Sequence, residues 1–347
     1  MFLDLKLISK YRASLMGIAM ISILLGHYHG LSDSSHWKFT DVICSVFPGL
    51  FMSETFLLVS GFGLYYAYSK IKNRNKRALM GFYQKRLRRV LLPFILFSFP
   101  FFLYALYIGK LTGIQFCGYL TTLSFWFEGN YYSMWYIAIS LMLYALFPVL
   151  FGFLFRVSYN KIVVLRFICL MTVLYSFLYT IKIVTPDYYS LVGIGLTQIP
   201  CFIIGMYFGY ISSNEKSNIG ILNISLCIFL PFIVLKLVSV FFPDIDYIVK
   251  MMQRILGLMV FCFVMEKSAH IRMLRSVRGG VIFVLDFIGK VTLEIYIFHL
   301  LIFYLFKDMG LMYCNTILIL SSIWLALMIS YPVHKYSNNF LETIMKL

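Results

Sequence analysis

Ten stretches of this 347-residue chain are apolar over lengths close to one bilayer crossing, which takes about 20 residues of helix. That leaves few architectures open. Backbone N–H and C=O groups in hydrocarbon have no water to bond, so only helices and closed barrels span a membrane. The runs are continuous rather than alternating, which selects helices. The spacing predicts an all-α polytopic membrane protein, a bundle of about ten transmembrane helices over roughly 14–30, 48–68, 90–109, 133–154, 163–182, 191–211, 220–242, 248–265, 281–305 and 314–334. Composition agrees, with 61% hydrophobic and 13% charged residues, where soluble domains run at about a half and a quarter. No segment between the runs has the length of a soluble domain, so residues 1–347 read as one membrane-embedded domain.

A net charge of +16 is the kind of balance that draws nucleic acid, but its distribution argues for a membrane instead. Lys6, Lys10 and Arg12 precede the first run, and nine cations from Lys70 to Arg89 lie between the second and third. Arg156, Lys161 and Arg166 follow the fourth run, and Lys267, Arg272, Arg275 and Arg278 follow the eighth. With ten spans all these segments fall on one side, and the alternate loops hold only scattered cations such as Lys38, Lys110 and Lys307. The positive-inside rule then puts both termini in the cytoplasm, with lipids and not nucleic acid as the surrounding partner. Seven scattered cysteines without a C-x-x-C pair read as small buried hydrophobes. Met1–Arg12 is too polar for a cleaved signal, so the first span is expected to be retained.

Polar groups inside the spans are the candidates for function, because ionisable side chains at membrane depth are costly. His27 lies thirteen residues beyond Ser14 on the first span, about 20 Å along the axis and so in the outer half of the core. The second span runs inward from about Pro48, and Glu54 is six residues along it, about 9 Å from the outer surface. The two fall at similar depth on consecutive antiparallel helices. A carboxylate that fixes an imidazole's tautomer and stabilises its cation is what general-base catalysis needs. A structural ion pair or interhelix hydrogen bond fits the spacing equally well.

His29 and His36 lie nearer the outer surface, where a solvated histidine costs little. His299, in the ninth span beside Glu294 and Tyr296, either lines the same cavity or packs between helices. The histidines show neither H-x-x-x-H nor H-x-x-E-H spacing, so no metal site is expected. The densest basic cluster, Lys85–Arg89, abuts the third span. It reads as a topology determinant touching lipid headgroups. It also reads as a phosphate clamp, since Arg86 and Arg89 share a helical face.

Several segments together resemble the acyltransferase 3 family of integral membrane O-acyltransferases. Leu15–His27 is similar to the family's first helix, which ends in an essential histidine, and Glu54–Phe62 resembles the acidic residue and Ser-Gly-Phe of the second. Phe82–Pro93 resembles the basic R-x-x-R lead-in to the third helix, and Trp135-Tyr136 with Pro148 the fourth. Gln198–Gly205 and Phe287–His299 are similar to two further signatures. Two positions depart from the pattern. Met16 stands where many members carry arginine, with Arg12 one turn earlier on roughly the same face, and Thr292 stands where serine is common.

The resemblance implies an enzyme that moves an acyl group from acetyl-CoA to a hydroxyl of a cell-surface or lipid-linked glycan in the cell membrane. It implies His27 as the base, Glu54 as its orienting carboxylate, and Arg86 and Arg89 as ligands of the coenzyme phosphates. Ser60 and Gly61 would line the donor's path, with Trp135, Tyr296 and His299 on the acceptor side. The competing class is a proton-coupled transporter or exporter, which also uses buried His and Glu. The chain shows no matching pair of Gly/Pro-broken helices in two halves. A third reading is a catalytically dead member serving in assembly, for which Met16 is the hint.

Overall fold

The computed structural model describes residues 2–31, 46–71, 75–129, 134–156, 160–213, 218–220, 230–241, 246–308, 324–325, 327–330 and 332. Two three-residue strands apart, the regular elements among these residues are helices. In chain order they are β1 (Phe2–Asp4), α1 (Lys6–Lys10), α2 (Arg12–Leu31), α3 (Ser53–Ser69), α4 (Lys76–Tyr107), α5 (Gly113–Leu120), α6 (Ser124–Glu128), α7 (Trp135–Phe155), α8 (Asn160–Val184), α9 (Pro186–Leu196), α10 (Ile199–Ser213), β2 (Asn218–Gly220), α11 (Leu230–Phe241), α12 (Asp246–Ser268), α13 (Arg275–Lys290) and α14 (Thr292–Asp308).

Six helical stretches are long and apolar enough to cross a bilayer: Val46–Ser69, Lys76–Tyr107, Trp135–Phe155, Asn160–Val184, Pro186–Ser213 and Asp246–Ser268. Arg12–His27 and Thr292–Leu305 are shorter apolar helices. The chain is therefore a membrane-embedded helical protein, with six long spans among the described residues where the sequence pattern suggests ten. Most of the expected span 314–334 and the stretch 221–229 of the expected span 220–242 lie outside those residues, as does His36.

Two expected spans are interrupted, and local chemistry explains both. The run 281–305 divides at Val291, whose N–H turns back to Ile288 O at 3.1 Å, between α13 and α14. Gly289 and the β-branched pair Val291-Thr292 are weak helix formers at that point. The run 191–211 pauses at Thr197 and Gln198, where the Thr197 hydroxyl donates to Gly193 O at 2.9 Å. A side chain that bonds the backbone in this way competes with the helical ladder. In the opposite sense, α4 starts well before the expected 90. Asn75 caps it by accepting from Ala78 N–H at 2.9 Å, so the basic cluster and the apolar span are one continuous helix.

The chain divides into two compact units, each assembled from two separate segments. The first comprises Met1–Ala67 and Cys201–Thr292. Its helices approach through small residues, as helices do where lipid removes the hydrophobic drive to associate. A Cβ on Gly17 would lie 2.0 Å from Leu285 O, and one on Gly289 would lie 2.0 Å from Ala13 O, so α2 and α13 touch backbone to backbone. Asp286 accepts a hydrogen bond from the Ser14 hydroxyl across the same contact. α3 and α10 repeat the device, with Gly61 against Phe202 O and Gly205 against Leu58 O, each at 2.1 Å from the added Cβ. β1 pairs antiparallel with β2, Phe2 opposite Gly220. Beside it Glu266 accepts from Lys10 Nζ at 2.6 Å and from Tyr11 Oη at 2.7 Å, while Arg278 donates to Tyr11 Oη at 2.9 Å.

The second unit comprises Tyr68–Pro200 and Leu293–Leu347. Its core is aromatic. Tyr68, Phe82, Phe147 and Phe151 meet with ring centroids 5.0–5.9 Å apart, a spacing at which edge and offset contacts are favourable. On α8, Leu165, Ile168, Val173, Phe177 and Ile183 point outward, as lipid-facing side chains of a span do. Pro93 and Pro100 lie inside α4, and the Ser98 hydroxyl bonds to Phe94 O at 2.7 Å within that stretch.

Candidate functional site

In the first unit, α2 carries His27 one turn before its end and α3 carries Glu54 in its first turn. His27 is half-buried and Glu54 is buried. Packing brings their two turns side by side. A Cβ on Gly26, the residue before His27, would meet Met52 Cε at 3.6 Å and Pro48 Cγ at 3.7 Å, and both residues lead into α3. His29 belongs to the same helix.

The Glu54 carboxylate forms an ion pair with Arg254 Nη1 from α12 and accepts from the Ser53 hydroxyl at 3.3 Å. Only 7% of the Glu54 side chain and 13% of the Arg254 side chain are exposed, so the two charges are screened much less than a surface pair would be. Arg254 Nη2 also donates to Met52 Sδ at 3.4 Å. Its Nε–H is buried and has no hydrogen-bond partner among the described residues. α12 is held close by Gly257, whose Cβ would lie 2.6 Å from Leu50 O.

Sequence reasoning alone does not single out Arg254, although the signal exists. The residue lies six positions into the run 248–265, as Glu54 lies six positions into 48–68. Two opposite charges at one depth of a bundle are expected to pair.

Around this core the remaining candidates of the first unit fall into place. Ser60 is buried in α3, but the open face of Gly61 is filled by the backbone of Phe202 and Met206. At this position the expected path-lining residue is in packing contact. Two residues on, Gly63 faces the Arg12 guanidinium, whose Cζ would lie 3.2 Å from an added Cβ. Arg12 thus reaches the helix that carries Glu54, while Met16 is half-buried.

In the second unit, Arg86 is half-buried with its guanidinium 5.6 Å from the Phe82 ring centroid, a cation–π contact with the aromatic core. Arg89, one turn on, is exposed. Trp135 opens α7 and lines a small cleft with Tyr119, Thr122, Phe125, Gly129 and Met134. Its neighbour Tyr136 meets Tyr296 edge-on at 5.5 Å. His299 is fully buried between Tyr296 and Phe303, at centroid distances of 5.8 and 5.6 Å. Its Nδ1 lies 2.8 Å from Ile295 O. A carbonyl only accepts, so Nδ1 is the donor in this contact. Among the described residues, no three His, Cys, Asp or Glu side chains gather as a metal site would require.

A carboxylate paired with an arginine, a histidine on the adjoining turn, and a separate basic helix are the parts that acyl, phosphoryl or proton transfer can use. Comparison with known proteins narrows this. The model of the acyltransferase 3 family, described as an acyltransferase domain, matches residues 15–335. No curated protein and no solved structure matches the chain.

Proposed function

The chain belongs to the acyltransferase 3 family and is a membrane acyltransferase, and we propose that it transfers an acetyl group from cytoplasmic acetyl-CoA to a hydroxyl of a cell-surface or lipid-linked glycan. His27 takes the proton of the acceptor hydroxyl, and Glu54 orients the imidazole and offsets its positive charge. Arg86 and Arg89 hold the coenzyme phosphates, for which a guanidinium's paired donors are suited. Ser60 lines the donor's path, and Gly61 contributes to it by the close helix approach it permits. Trp135, Tyr296 and His299 contact the acceptor. The reaction needs no metal in this scheme. The protein sits in the cell membrane with both termini in the cytoplasm, as its loop charges favour.

The observation that carries this reading is the placement of the His27 turn against the turn of Glu54, within a chain matched almost throughout by the family. A base and an already charged carboxylate are the costly elements of general-base catalysis in a membrane, and packing brings their two turns together.

The test is acyl transfer from radiolabelled acetyl-CoA in membranes holding wild type or His27→Ala. Label enters the glycan or lipid-linked sugar fraction with wild type only, while both proteins reach the membrane in equal amount. Equal label with His27→Ala removes the histidine from the mechanism. No label with either, across supplied peptidoglycan, polysaccharide and lipid-linked acceptors, overturns the reading, and substrate flux in vesicles without donor would then identify a transporter.

A further inference from the structure

Acyl transfer needs a second group besides its base. As the acceptor oxygen attacks a thioester carbonyl, negative charge develops on the carbonyl oxygen, and donors fixed beside it supply much of the catalysis. Resting on the acyltransferase reading above, we propose that Arg254 supplies those donors, making it a residue that contacts the reacting acyl group rather than a mere counter-ion of Glu54.

Three observations point to Arg254. First, its guanidinium is more than the ion pair uses. Among the described residues Nη1 serves Glu54, Nη2 donates to the weak acceptor Met52 Sδ, and the buried Nε–H has no partner. A buried donor left without an acceptor is destabilising, and more so on a charged group. A hydrocarbon side chain of similar volume would fill the site without that cost.

Second, the group stands beside the proposed base. Met52 touches Arg254 through its sulfur and approaches the backbone next to His27 through its methyl group. One thioether therefore separates the guanidinium from the His27 turn.

Third, the position is fixed. Gly257, one turn along α12, packs against Leu50 backbone, and Gln253 Nε2 lies 3.0 Å from the Cβ position of Gly49. Preorganised donors are effective because they do not reorganise during the reaction.

The step balances as follows. The acceptor hydroxyl oxygen bonds to the thioester carbon while its proton passes to His27. The carbonyl π pair moves onto oxygen, where the Arg254 N–H groups hold it. When that pair returns, the carbon–sulfur bond breaks, and the departing thiolate takes the proton from His27. The products are an O-acyl ester and the free thiol of coenzyme A.

The experiment uses full-length protein in membranes, with radiolabelled acetyl-CoA as donor and the envelope glycan fraction of the host cells as acceptor. Arg254→Lys keeps a cation opposite Glu54 but loses the planar fork and its Nε–H. The expected result is a transfer rate lowered by about 100-fold or more, with acetyl-CoA affinity and solution behaviour in detergent unchanged. A rate within about threefold of wild type overturns the proposal, because a simple counter-ion then suffices.

Should Arg254→Lys fail to reach the membrane, Glu54→Gln/Arg254→Gln removes both charges together and is compared with Glu54→Gln. A further loss of about tenfold or more supports contact with the acyl group. A rate equal to that of Glu54→Gln overturns it, since Arg254 would then act only through Glu54. An active wild type beside an active Arg254→Lys sinks this inference alone, whereas an inactive wild type takes the acyltransferase reading down with it.

Discussion

Replacing Gly205 by alanine isolates how much the protein depends on backbone contact between α3 and α10. The added methyl would lie 2.1 Å from Leu58 O, 2.8 Å from Leu58 C and 3.0 Å from Leu58 Cα. Carbon and oxygen settle more than about 1 Å further apart than the first of these distances. The obstruction is main chain, so no side chain can rotate away and the helices must separate. A gap of about 1 Å forfeits up to half the dispersion energy of the atoms it opens. Overpacking of this kind costs about 1–3 kcal/mol, and the upper end applies because the reciprocal contact of Gly61 with Phe202 O opens too. Against this, alanine gains about 0.5–1 kcal/mol over glycine in a helix. The net loss is about 2 kcal/mol, or roughly 4–8 °C in the midpoint of thermal unfolding. Gly152, with nothing within 4 Å of its Cβ position on α7, is the control, and there the same substitution is neutral or stabilising. Thermal aggregation in detergent, followed by size-exclusion chromatography at one heating rate, reads both variants. Equal midpoints for Gly205→Ala and Gly152→Ala would refute the argument that backbone contact sets this helix crossing.

Arg254→Gln leaves the Glu54 carboxylate buried without its counter-ion and should cost about 3–5 kcal/mol, seen as poor recovery of folded protein, while Glu266→Gln at the half-exposed Lys10 pair should leave the melting midpoint nearly unchanged. Arg86→Gln together with Arg89→Gln should weaken acetyl-CoA binding by about 10–100-fold in calorimetry, and unchanged affinity would return both residues to a topological role. Arg86→Gln alone should also lower the melting midpoint, because it removes the contact with Phe82, whereas Arg89→Gln should not. The hydrogen bond to Glu266 raises the Lys10 pKa above its ordinary 10.5, so that contribution is fully present at lower pH and is lost only as pH rises through the folded value; melting midpoints between about pH 6 and 9 should show no step from it.

Apolar length alone reads well for Val46–Ser69, Trp135–Phe155, Asn160–Val184 and Asp246–Ser268, because a bilayer imposes one requirement that composition either meets or fails. It reads poorly where a helix continues beyond the hydrocarbon. The polar first half of α4 is invisible to a hydropathy argument, and only the Asn75 cap marks its start. The interruption at Val291 is equally hidden, since a broken and an unbroken helix there have the same hydropathy. Counting along the spans sets Glu54 level with His27, and the turns that carry them lie side by side, because position along a helix is proportional to residue number. It did not name Arg254, because the same counting has to be run on every span and then compared across them. The pairing of β1 with β2 has no local signal in three-residue strands.

The contact between α2 and α13 carries a consequence for how the protein is made. Gly17 and Leu285 meet in the finished fold, yet a ribosome adding about 5–20 residues per second exposes the first some 13–54 s before it makes the second. For that interval the Gly17 face of α2 lacks its final partner α13, while all of Tyr68–Pro200, which belongs to the other unit, is synthesised. The N-terminal helix is thus delivered to the membrane early and completed almost last, so the growing polypeptide depends on lipid or an insertase to occupy that face until α13 emerges.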